Sequence, residues 1–170
     1  MAHNIQMILR AKLPLAGFFA MIGTGLASRW ANGYVYSSVE AKQLLDALSS
    51  SALYLGSAIA TSSATTLALM LTLVGLVKRL DKEFDTDLYQ RVALVSRLSA
   101  INLIGAVVLL MLLAMPVGEF DNLPASWFAT LYNILYGMMV FLCALIVAIV
   151  LLLAMTIETL IAKITPSEDV

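Results

Sequence analysis

The sequence predicts an all-α fold: an integral membrane helical bundle of four transmembrane helices. Three observations carry that reading. The first is a set of three long stretches without a single charge, residues 47–77 (31 residues), 98–118 (21) and 122–157 (36), dominated by Leu, Ala, Val, Met and Ile. A hydrocarbon core of about 30 Å takes roughly 20 apolar residues in a helix, so each stretch is long enough to cross it. The second is composition: 61% of residues are hydrophobic and 12% charged, where a soluble domain carries about 25% charged. Mean hydropathy is +0.94. The third is the distribution of Lys and Arg, which gives all four segments one consistent alternation across the membrane.

The first segment is the shortest, an uncharged run over 13–28. A helix spanning about 8–29 reaches the required length if Arg10 and Lys12 extend their charged ends to the interface. The same stretch also has the layout of a secretory signal: Arg10 and Lys12, an apolar run, then Gly25-Leu26-Ala27 before Ser28. Cleavage there would leave three spans in the same orientation. Asn32-Gly33 marks a turn. Ser37 then stands three residues before Glu40, the spacing of a capping box. Val39, Leu44, Leu45 and Leu48 recur at helical intervals among Glu40, Lys42, Gln43 and Asp46. That pattern predicts either a short amphipathic helix on the outer surface or the beginning of the second span, with Ser49-Ser50-Ser51 as a joint.

The second span covers about 52–77 and runs on toward Leu80 or Lys82. Asp85, Thr86 and Asp87 mark a tight turn, and Asp87 with Gln90 three residues on suits the start of a helix. The third span, about 96–116, ends at Pro116 and Gly118. Pro124 sits where a helix starts, and Ser126 caps the last one. A helix over 126–161 would be about 54 Å long. It must therefore tilt, project or break near Gly137, with a span over about 130–157. The Pro166 region closes it.

Positive charge sets the orientation. Lys78, Arg79, Lys82, Arg91 and Arg97 cluster between the second and third spans, and the connection 115–126 has no Lys or Arg. Short loops rich in Lys and Arg stay cytoplasmic. Placing the 78–95 loop inside makes 30–51 and 117–129 outer loops and puts both termini inside, N-in and C-in. Eight Lys/Arg then lie inside and two, Arg29 and Lys42, outside. Trp30, Tyr34, Tyr36, Tyr54, Trp127, Phe128 and Tyr132 fall at the outer ends, where amphipathic rings favour the headgroup layer.

Within the spans, the second carries the clearest pattern. Ala52, Gly56, Ala60, Ala64 and Ala68 repeat at a spacing of four, beside a row of hydroxyls on Ser57, Thr61 and Thr65. Small residues at that spacing let two helices approach closely, and Ser or Thr bond across the contact. The row predicts either packing inside the chain, or the wall of a pathway or protomer contact. Hydroxyls also bond back to their own helix carbonyls without any pore. Asn102 in the third span and Asn133 in the fourth are expected to face partner helices. Arg97 and Glu158 both fall at the inner interface and are candidates to pair.

Several function classes lack their chemistry. No ionisable side chain lies in mid-membrane, where proton relays, voltage sensors and charge-coupled transporters place theirs. His3 is the only histidine and Cys143 the only cysteine. Haem ligation by two histidines, zinc sites and thiol–disulfide chemistry are therefore disfavoured. Asp81, Glu83, Asp85 and Asp87 read as a solvated loop without the calcium-loop pattern. No basic face exists to bind nucleic acid. The expectation is a protein without a cofactor or catalysis, embedded in a prokaryotic inner membrane. It acts as a structural or accessory subunit, assembling with itself or with other membrane proteins. The alternative is a channel or transporter protomer with the second span lining the route.

Overall fold

The computed structural model describes residues 2–31, 38–79, 86–114 and 125–164. They form α1 (Ala2–Ala31), α2 (Ser38–Arg79), α3 (Thr86–Leu113) and α4 (Ala125–Ile164). Every described residue except Ala114 is helical. Among the described residues, three stretches are long and apolar enough to cross a membrane: Ala47–Gly75, Leu88–Leu113 and Trp127–Ile161. The chain is thus an all-α bundle with three membrane-crossing candidates. α1 has 30 residues, but its apolar run is cut short by Arg10 and Lys12, and it is not one of the three.

Two helices are longer than the pattern of turns implies. α2 is continuous for 42 residues, about 63 Å, so the amphipathic stretch around Leu44 is the first part of α2 and not a separate surface helix. The triple serine does not interrupt it, and the Ser50 hydroxyl donates to the Ala47 carbonyl at 3.0 Å within the helix. α4 likewise runs unbroken through Gly137 for 40 residues. One glycine costs a helix about 1 kcal/mol, too little to break a helix held by packing on both sides. α3 begins one residue before Asp87 and ends at Leu113, where the Ala114 amide closes the last turn on the Leu110 carbonyl at 3.0 Å. The expected turns at Asn32-Gly33, Asp85, Pro116, Gly118, Pro124 and Pro166 lie outside the described residues.

The core is a three-helix seam. On α3 the buried positions are Leu88, Val92, Val95, Ser99, Asn102, Ala106, Leu109 and Leu113, alternating by four and three. On α2 they are Leu48, Ala52, Gly56, Ile59, Ser63, Thr66 and Met70. On α4 Phe128, Leu135, Leu142, Ile149 and Thr156 recur every seven residues. A mean spacing of 3.5 is the repeat that keeps one face of a helix on its neighbour through a left-handed supercoil. Two larger apolar clusters result, besides the Leu88–Leu160 pair. One joins Ala52, Ile59, Ala106, Leu109 and Leu142; the other joins Met70, Val95 and Ile149.

Contacts along the helices fix their directions. Leu88 near the start of α3 clusters with Leu160 near the end of α4, and Gly105 faces Leu142, so α3 and α4 are antiparallel. Gly56 faces Leu110 and Leu109, and Ser63 meets Asn102, so α2 and α3 are antiparallel as well. α1 docks on α4: Gly17 lies against Leu151 and Val147, and Gly25 against Val140. The glycines matter here, since a Cβ at Gly25 would overlap both methyls of Val140. Phe18 meets Phe141 edge-on at 5.9 Å, and the Tyr136 hydroxyl donates to the Gly25 carbonyl at 2.9 Å. α1 and α4 are therefore antiparallel too. The start of α1, the end of α2, the start of α3 and the end of α4 all share one end of the bundle.

Candidate functional site

Between the two apolar clusters the seam turns polar. Ser63 and Thr66 on α2 lie between Ile59 and Met70, and Ser99 and Asn102 on α3 lie between Val95 and Ala106. Ser63, Ser99 and Asn102 are wholly buried and Thr66 is 5% exposed. Each pair is spaced by three, so both members occupy the inward face of their helix. The Asn102 amide Nδ2 donates to Ser63 Oγ at 3.0 Å, joining the two helices. Thr66 Oγ1 instead donates to the Ser62 carbonyl at 2.8 Å. Asn102 Oδ1 and Ser99 Oγ have no hydrogen-bond partner. In hydrocarbon an unpaired polar atom is costly, so a layer of this kind penalises any register of α2 on α3 that would break its one cross-link.

The small-residue row behaves differently from the seam. Gly56 is buried, Ala60 half-buried, and Ala64 exposed. The reason is rotation: four residues turn a helix by about 400°, so a spacing of four drifts by about 40° per step relative to a fixed neighbour. From Ala52 to Ala68 the row swings through about 160°, from the core to the outside. Ser57, Thr61 and Thr65 are exposed, and Thr61 and Thr65 donate to the carbonyls of Ser57 and Thr61 at 2.9 and 2.8 Å. They do not pack between helices of this chain.

Asn133 is exposed on α4, unlike Asn102. Nearby, Tyr132 and Tyr136 stack at 5.9 Å, tying this level of α4 to α1 through the Gly25 contact. Arg97 and Glu158 are both exposed and belong to the same end of the bundle. Cys143 is buried beside Leu142 in the apolar cluster, consistent with a small apolar role. Among the described residues no three His, Cys, Asp or Glu side chains group as metal ligands.

Asn102 is legible in the sequence as an interhelical contact, but its bonding partner Ser63 and its neighbours in the layer, Thr66 and Ser99, are not. The signal that finds them is the alternation by four and three, which puts Ser63 and Thr66 in the seam and leaves Thr61 and Thr65 out of it. The bundle, its polar layer and its exposed hydroxyl row stand without a relative to compare them with: no family model matches the chain, and no curated protein or solved structure proves similar to it.

Proposed function

We propose that this chain is a structural or accessory subunit of a prokaryotic inner membrane. It has no catalytic chemistry of its own and assembles with a second copy or with other membrane proteins. The supporting observation is the division of polar groups. Those in the seam are buried in the packing, with Asn102 bonded to Ser63, and the Thr61 and Thr65 hydroxyls on the outer face of α2 are satisfied by their own backbone. A flat outer face of Ser57, Thr61, Ala64, Thr65 and Ala68 suits the close approach of another helix. Positive charge favours N-in and C-in, with α1 as the fourth span.

The test is the oligomeric state in mild detergent, measured by light scattering. Ala64→Leu adds bulk to the outer face without touching the core. The reading expects an assembly larger than one chain that Ala64→Leu shifts toward monomer. A monomeric native protein with no copurifying partner would remove it. The channel alternative has one point in its favour, the hydroxyl row itself, which in an assembly would face a contact or a route. Reconstituted protein with an ionic current altered by Thr61→Ala/Thr65→Val would establish that alternative.

A further inference from the structure

We propose that the outward face of α3 binds an anionic phospholipid, holding its phosphate between Arg91 and Arg97. A groove of about 560 Å³ lies on this face, lined by Gln90, Arg91, Ala93, Leu94 and Arg97. All five are exposed. Positions 90, 94 and 97 follow one stripe of the helix, and Arg91 stands at its shoulder.

The stripe does not stop at Arg97. Ile101, Ile104, Val108 and Met111 continue it at the same spacing, 57%, 64%, 42% and 69% exposed. A basic groove therefore heads a ribbon of outward apolar side chains. That order, cationic at one end and hydrocarbon along the rest, matches a phospholipid lying alongside a span, its headgroup on the arginines and an acyl chain on the ribbon. A soluble phosphate would use the first part only.

Depth agrees with this. The apolar stretch Leu88–Leu113 has 26 residues, about 39 Å, against a hydrocarbon core of about 30 Å. With Leu113 at one boundary, the other falls near Leu94. Arg91 then lies at headgroup level and Arg97 one turn inside it. Side chains lean toward the N-terminus of their helix, here the same boundary. Arg97 is thus directed back along the groove, and its guanidinium reaches the interface as long basic chains do. Two guanidiniums in fork geometry suit a phosphate better than two ammonium groups. Basic pockets at this level of a bundle are suited to acidic headgroups.

The inference rests on the membrane reading above, and the test separates the two. Purified protein is placed in nanodiscs of pure phosphatidylcholine, and in nanodiscs with a rising fraction of phosphatidylglycerol, and melted. Tm should rise by several degrees with phosphatidylglycerol. Arg91→Gln/Arg97→Gln should abolish the rise. Lys12→Gln, an exposed cation at the same end of the bundle, should keep it. Inorganic phosphate added to phosphatidylcholine nanodiscs should leave Tm unchanged. The proposal is overturned by a flat response to phosphatidylglycerol, by a rise that the double variant retains, by a rise that Lys12→Gln removes equally, or by the same rise from inorganic phosphate. Failure of the protein to float with phosphatidylcholine vesicles would overturn the membrane reading itself and is distinct from all four.

Discussion

Asn102 is the residue on which the seam is most exposed to damage. Its amide bonds Ser63 with both groups out of solvent, and its own Oδ1 is unpaired. Removing Asn102 strips the only cross-helix hydrogen bond of the layer and leaves a cavity, so Asn102→Ala should destabilise by about 1–3 kcal/mol. Much of that loss belongs to packing. The double-mutant cycle with Ser63→Ala isolates the bond, whose coupling should be about 0.6 kcal/mol, the mean for hydrogen bonds between membrane helices. A coupling indistinguishable from zero in denaturant titrations would show that the bond adds nothing to stability. Ser99 gives the opposite sign. Its hydroxyl is fully buried without a partner, so Ser99→Ala removes a desolvated polar atom and should leave stability unchanged or raise it. A clear drop in melting temperature for Ser99→Ala would contradict that account.

At the level of helices, what was legible depended on which period governed. Uncharged length alone located the three apolar helices, because no soluble helix tolerates runs such as 122–157. The spacing of four in α2 pointed at the correct helix but left two contacts open, and beyond Ala60 the row leaves the seam of this chain, since a helix packed in a seam of period 3.5 carries such a row out of contact within a few turns. The join of the stretch near Leu44 to α2 was one of two readings the sequence left open, because a serine triplet fits a joint as well as a helix, and α2 runs through it unbroken. The two faces of the bundle should therefore respond oppositely to the same change. Ala106 is wholly buried between α2 and α4 residues, so Ala106→Leu overpacks the seam and should cost about 1–3 kcal/mol or more. Ala64→Leu should leave the melting of the monomer within about 0.5 kcal/mol, since the face is open. α1 has its own sensitivity. Gly25→Leu should drive α1 from α4, exposing it to limited proteolysis while the α2–α4 core stays protected. Unchanged protection of α1 would mean that the Gly25–Val140 approach is not what holds it.

For the whole molecule, the remaining question is which end of the bundle faces the cytoplasm. The packing makes the question sharp. Because α1 is antiparallel to α4, and α2 and α4 are each antiparallel to α3, the start of α1, the end of α2, the start of α3 and the end of α4 lie at one end. Arg10, Lys12, Lys78, Arg79, Arg91, Arg97 and Lys163 belong to those helix ends, seven of the ten Lys and Arg in the chain. On the proposed reading such a concentration in short segments is kept in the cytoplasm, because translocating positive charge is disfavoured and acidic residues contribute little to the choice. The opposite end carries Arg29 beside the stacked Tyr132 and Tyr136, with exposed Trp30 and Trp127, the composition of an aromatic interface belt. Both sets of residues point the same way, and they are independent of each other. A membrane-impermeant thiol reagent decides it on Cys143→Ala protein carrying one new cysteine. In intact cells the reagent should modify Asn122→Cys and spare Thr86→Cys, and after permeabilisation it should modify both. Labelling of Thr86→Cys in intact cells would invert the bundle. It would also move the arginine groove of α3 to the outer leaflet, so the same experiment fixes which leaflet must supply the anionic lipid.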